Sequence, residues 1–233
     1  MQYNQFANQL KQELFSGWKA FEVLFLVIFT AAIIWSGIEN PYEKQTFLGM
    51  VAGISGIICN VFISKGKISN YFFGLIFAYS YFYVALANNF LGEMNTTLYV
   101  YIPAQFIGYF LWKQNMQQHE GAETVVAKAL TVKGWAVVLA VMGIGTLLLV
   151  QALNAVGSSS THLDGLTTVI VVVAQILMLL RYREQWLLWI VLNIVSLFLW
   201  AENTAMTLMF LAYLLNAIYG YYNWTKLQKA ANV

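Results

Sequence analysis

The sequence predicts an all-α integral membrane protein with eight transmembrane helices, and three observations lead there. Of 233 residues, 60% are hydrophobic and 9% charged, with a mean hydropathy of +0.65. A soluble domain carries about 25% charged residues, so too little charge is present here to cover a water-facing surface. The charges gather between apolar runs long enough to cross a bilayer. When the chain is threaded through eight crossings, nearly all its basic residues fall on one face.

Residues 1–20 are polar to amphipathic, with Phe6, Leu10, Leu14 and Trp18 near helical spacing, and suit the membrane interface. The first apolar run, 21–38, is long enough to span, and no A-x-A cleavage site follows it, so it reads as a retained helix. Further spans are expected at 45–63, 69–89, 96–112, 135–154, 162–180, 185–200 and 204–224. Several are short, so flanking residues must complete the crossings. The long connection, 113–134, reads as a linker with room for a short interfacial helix. The expected organisation is an N-terminal region and extra helix (1–40), a first three-helix bundle (41–113), a linker and linker helix (114–158), a second three-helix bundle (159–226) and a tail (227–233).

Eight crossings put both termini on one face together with the connections at 64–68, 113–134 and 181–184. That face collects Lys11, Lys19, Lys65, Lys67, Lys113, Lys128, Lys133, Arg181, Arg183, Lys226 and Lys229; of the 12 basic residues, Lys44 alone falls opposite. The positive-inside rule then places both termini in the cytoplasm. Omitting one span would scramble the asymmetry. The net charge of +2 is thus an orientation signal, and no basic stretch interleaved with aromatics implies a nucleic-acid partner.

Chemistry is constrained by what is missing. The single cysteine, Cys59, lies in an apolar run and cannot form an intrachain disulfide, while His119 and His162 are far apart in polar connections without metal-ligand spacing. No nucleophilic triad or paired buried carboxylates can be assembled, which excludes the common hydrolytic enzymes. No ionisable residue lies near the middle of an expected span, which weighs against a buried proton relay.

The stretch Lys65–Lys113 resembles Arg181–Thr225 at an offset of about 115 residues, falling to about 112 after the outer connection. Asn70-Tyr71 then aligns with Gln185-Trp186, Asn60 with Gln175, and Gly108-Tyr109-Phe110-Leu111-Trp112 with Gly220-Tyr221-Tyr222-Asn223-Trp224. The copies begin four crossings apart and point the same way, a parallel repeat with one span between its halves. Such pairs of bundles make transport paths.

Span 185–200 is the most informative. Trp189, Asn193, Ser196 and Trp200 recur at i, i+4, i+7 and i+11, with Trp186 preceding them on the same side. Wide aromatic planes around an amide suit a flat heterocyclic solute, although tryptophans near span ends also anchor helices at the interface. Gln105 and Asn216 lie near the centres of their spans, Asn60 and Gln175 at matching repeat positions. Amides in hydrocarbon either bridge helices or bind solutes. Asn88 near an outer span end and Tyr83 in the run Phe77–Val84 are further candidates, and Pro103 beside Gln105 is placed to kink its helix.

The segment Gln185–Trp200 followed by Ala212–Trp224 resembles the PnuC family of bacterial vitamin transporters, with Trp186, Trp189 and Asn193 in that family's tryptophan-rich helix; the resemblance covers about residues 40–226. It implies a SWEET-like fold of two parallel three-helix bundles with a linker helix, here with an extra N-terminal helix. It also implies facilitated diffusion of nicotinamide riboside across the bacterial inner membrane, made unidirectional by a cytoplasmic riboside kinase, with no cofactor. The resemblance would have Trp186 and Trp189 frame the pyridinium through cation–π attraction, Asn193 bond its carboxamide or ribose, and Gln105, Asn60 and Asn216 hold ribose hydroxyls. Ser196, Gln175, Asn88 and Tyr83 complete the candidate set. The resemblance extends to carriers of thiamine or other riboside-like solutes and is compatible with a homo-oligomer; a structural membrane protein without transport is the reading from a different class.

Overall fold

The computed structural model describes residues 11, 14–39, 44–87, 91–119, 123–155, 161–199 and 204–230. The chain divides into two compact units, Met1–Val125 and Val126–Val233. The first contains α1 (Ala20–Glu39), α2 (Lys44–Lys65), α3 (Asn70–Ala87), a short α4 (Leu91–Thr96), a π-helical segment (Thr97–Tyr101) and α5 (Ile102–Gln117). The second contains α6 (Val132–Ala155), α7 (Thr161–Leu179), α8 (Gln185–Leu199) and α9 (Thr204–Ala230). Helices satisfy their own backbone groups, which a hydrocarbon solvent requires.

Among the described residues, Ala20–Ile38, Phe47–Lys65, Asn70–Ala87 and Val132–Ala155 are long and apolar enough to cross a membrane, and Gly165–Leu179 and Gln185–Phe198 are shorter apolar helices. In the first unit α1 packs on α2, α2 on α3, and α3 on α5. In the second, α6 packs on α7, α7 on α8, and α8 on α9. Val138, Ile170, Val173, Ala174, Leu177 and Leu188 form a core where α6, α7 and α8 meet. Leu139, Val141, Ile144, Leu147 and Leu148 of α6 face outward, a surface suited to lipid and costly in water.

The ends of α2 and α7 are built alike, bond for bond. Gly66 has φ +69° and Arg181 φ +65°. Gly66 N–H donates to Ile63 O and Lys67 N–H to Phe62 O; Arg181 N–H donates to Met178 O and Tyr182 N–H to Leu177 O. Both are left-handed helix stops that satisfy terminal carbonyls. Glycine accepts that conformation freely, whereas arginine holds it at a cost of about 1 kcal/mol. The carbonyl at each stop accepts a further bond from the following connection: Val125 N–H on Gly66 O in the first unit, Lys128 N–H on Arg181 O in the second.

No helix occupies the described part of 118–131, so the interfacial helix allowed for there is replaced by extended chain. Lys128 bridges Tyr182 in parallel β fashion, Arg183 N–H returns a bond to Lys128 O, and Leu130 N–H donates to the buried Glu184 carboxylate at 3.0 Å. Ladder bonds outcompete a local helix here because the α7–α8 corner presents free backbone groups.

The segment before α1 is tied to the end of α2. Lys65 Nζ meets Glu22 Oε2 at 2.5 Å, with side chains 5% and 2% exposed, also bonds Gly17 O, and lies 4.7 Å from the Trp18 ring centroid. Lys67 Nζ bonds Ser16 Oγ at 3.0 Å, and Trp18 packs edge-on against Phe62. Pro103 follows a π turn in which Ile102 N–H reaches back to Thr97 O. The wider turn accommodates a ring that would otherwise meet the carbonyl four residues earlier.

Candidate functional site

In the first unit, polar groups converge where α3 faces α5. Gln105 is 8% exposed; its Nε2 donates to Tyr101 O at 3.2 Å, while Oε1 has no hydrogen-bond partner. Gly74 of α3 leaves the space for it: a methyl there would overlap the Gln105 amide and come 3.1 Å from Cys59 Sγ. Thr97, wholly buried, also carries an unpartnered Oγ1. Asn60, one residue beyond Cys59, is half-buried and donates to Gly56 O at 3.1 Å.

Tyr83 is 55% exposed, and the structure does not bring it to this cluster: on a helix it cannot share the face of Gly74 and Phe77. Asn88 and Trp200 lie outside the described residues.

In the second unit, Asn193, Ser196, Asn216 and Gln175 are all buried. Gln175 finds a weak sulfur acceptor, Met178 Sδ, at 3.9 Å. Asn193 and Ser196 share one side of α8, while Val191, Ile194 and Phe198 face outward. Trp189 is half-buried against the α6–α7–α8 core. Leu188 is part of that core as well, so α8 buries more than the side that carries Asn193 and Ser196.

Trp186 is 2% exposed, its ring flat on Gly220, where a methyl would approach the indole to 2.5 Å. It meets Trp224 edge to face at 6.1 Å and 80°. The first unit repeats this: a methyl at Gly108 would overlap the Tyr71 ring, and Tyr71 meets Trp112 at 5.1 Å and 79°. Trp186 Nε1 and both amide atoms of the fully buried Gln185 lack hydrogen-bond partners.

Helical spacing alone missed Gly74, Gly220, Gln185 and Thr97. The repeat held part of the signal, because it aligned Gly108 with Gly220, Tyr71 with Trp186 and Trp112 with Trp224. A glycine paired with an aromatic in both copies is the pattern of close helix approach.

Buried amides beside aromatic rings can orient a polar, planar solute through donors and acceptors. Among the described residues no cluster of histidine, cysteine, aspartate or glutamate could hold a metal ion. Several apolar helices together with buried, uncharged hydrogen-bonding groups in each unit are the makings of a membrane transporter.

The family model described as nicotinamide mononucleotide transporter matches residues 46–226. The chain is 66% identical to the nicotinamide riboside transporter PnuC of Haemophilus influenzae, over 97% of this chain and 99% of that one. It is 46% identical to the protein of the same name from Neisseria mucosa, over 94% and 86%. A solved structure described as the crystal structure of the vitamin B3 transporter PnuC superimposes with a TM-score of 0.84 at 45% identity, covering 96% of this chain and 98% of that one. The chain therefore belongs to the PnuC family of transporters, with that family's all-α, multi-spanning membrane fold.

Proposed function

We propose that this protein carries nicotinamide riboside across the bacterial inner membrane by facilitated diffusion. The observation that carries the proposal is the 66% identity, end to end, with a riboside transporter. The family model's description names the phosphorylated mononucleotide instead, and the chemistry of the chain favours the riboside. A phosphate is held most strongly by arginine or lysine, and the buried Lys65 and Lys67 are already engaged by Glu22, Gly17 and Ser16.

In this reading Trp189 offers an aromatic face to the pyridinium and Trp186, backed by Gly220 and Trp224, frames it. Asn193 bonds the carboxamide or ribose, and Gln105, Asn60 and Asn216 hold hydroxyls. Ser196 and Gln175 extend the set of buried polar ligands. The unpartnered Gln105 Oε1 supports a ligand role, because a buried acceptor without a donor costs about 1–3 kcal/mol.

The finer architecture belongs to the same proposal: eight spans, an extra N-terminal helix (1–40), SWEET-like bundles at 41–113 and 159–226 with the linker helix between them, a tail at 227–233, and both termini cytoplasmic. The matched helix stops at Gly66 and Arg181 support the parallel repeat. A cytoplasmic kinase that phosphorylates the riboside would make uptake unidirectional, and assembly of several copies fits the architecture.

The test is uptake of labelled nicotinamide riboside into liposomes holding the purified protein, without an ion gradient. Saturable equilibration, competed by unlabelled riboside and not by the mononucleotide or thiamine, is expected. Failure to take up riboside with folded, inserted protein, or equal competition by the mononucleotide, would sink the reading.

A further inference from the structure

We propose that Glu93 is a specificity-determining residue that selects a cationic solute and delivers it along an aromatic track to Gln105. The proposal deepens the riboside reading and rests on it, since the pyridinium of that solute is positively charged.

Gly74, Phe77 and Tyr81 stand at i, i+3 and i+7 on α3 and share one face. Its Gly74 end abuts the Gln105 amide. Phe77 stacks on Tyr81, with centroids 5.3 Å apart and planes at 15°, and lies 6.3 Å from the Tyr101 ring. Tyr101 O in turn accepts the Gln105 amide bond. At the other end, Tyr81 Oη donates to Glu93 Oε2 at 3.2 Å. The residues carrying the three rings are half-buried, and Glu93 is exposed.

A carboxylate at the entrance followed by ring faces attracts a delocalised cation first at long range and then by contact. A neutral nucleoside gains only the stacking. Although Glu93 is exposed as a residue, its carboxyl lies among enough protein to raise its pKa, opposed by the Tyr81 bond. A carboxylate short of full hydration gains more from a passing cation than one in open water.

A purely structural role, pinning α4 to α3 through Tyr81, predicts otherwise. Glu93→Gln keeps an acceptor for the Tyr81 hydroxyl and removes only the charge. In liposomes holding the full chain, we expect this variant to raise KM for nicotinamide riboside about three- to five-fold at low salt, a difference that closes at about 1 M salt. KM for the neutral 1,4-dihydronicotinamide riboside should stay unchanged, and Glu93→Asp should restore the cation's KM. An unchanged cation KM, or an equal change for both substrates, overturns the proposal while leaving the riboside reading intact. Should Glu93→Gln fail to fold, the wild type decides: its KM must rise with salt for the cation only, and equal salt dependence overturns the proposal. Wild-type protein that takes up neither substrate removes the riboside reading and this proposal with it.

Discussion

Gly220 and Trp186 make each other possible. The indole lies on the glycine backbone where any side chain would collide, and Trp224 closes the far edge. Gly220→Ala is expected to lower stability by about 1–3 kcal/mol, read as a lower melting temperature in detergent, and Gly108→Ala should do the same through Tyr71. Asn193 differs in kind: it is a small amide buried on α8. Asn193→Ala should therefore leave folded yield near wild type while lowering kcat/KM for riboside uptake about 10- to 100-fold, the cost of one or two buried hydrogen bonds. A melting-temperature drop accompanied by unchanged uptake would assign Asn193 to helix bridging.

The first helix is fastened at the level of its entry into the membrane. Its connection to the first unit is polar at the end where Glu22, Lys65, Trp18 and Lys67 meet, and apolar along the α1–α2 contact. Both charges of the Glu22–Lys65 pair are buried, so removing one strands the other. Glu22→Gln is expected to destabilise the protein by about 3 kcal/mol or more, whereas the double replacement Glu22→Leu with Lys65→Met should recover most of the loss. Thermal unfolding of the three variants checks this; equal stability of the single variant and wild type would show that water reaches the pair. The helix stop at Arg181 shows the same dependence on surroundings. Its backbone takes a conformation that glycine occupies in the matching corner, and the Lys128 N–H bond to its carbonyl holds it there.

For the molecule as a whole, the proposed eight-span topology makes a direct prediction. Cys59 is buried and can be replaced by serine to give a cysteine-free background. Single cysteines replacing Lys113 or Lys226 should react with an impermeant maleimide only after the membrane is opened, while one replacing Lys44 should react in intact cells. Labelling of Lys113→Cys from outside would overturn the orientation.

Much of this was legible in the residues. The apolar runs, the one-sided lysines and arginines, and the amides at 60, 105, 175, 193 and 216 are properties of local sequence, because transfer into hydrocarbon is priced residue by residue. The aromatic–glycine pairs were visible as an alignment of two stretches, though not as contacts. The extended strap at 125–130, the π turn before Pro103 and the burial of Trp186 were not legible, for each depends on groups supplied by distant segments.

That division has a physical cause. Hydropathy marks which segments suit the bilayer, and it does so from the linear chain. Lipid tails are as apolar as leucine, so burial cannot choose helix partners there; close approach at small residues and hydrogen bonds between distant polar groups make that choice. Whether Gln105 stands beside Gly74, Trp186 beside Gly220 or Glu22 beside Lys65 was therefore decided when the helices packed.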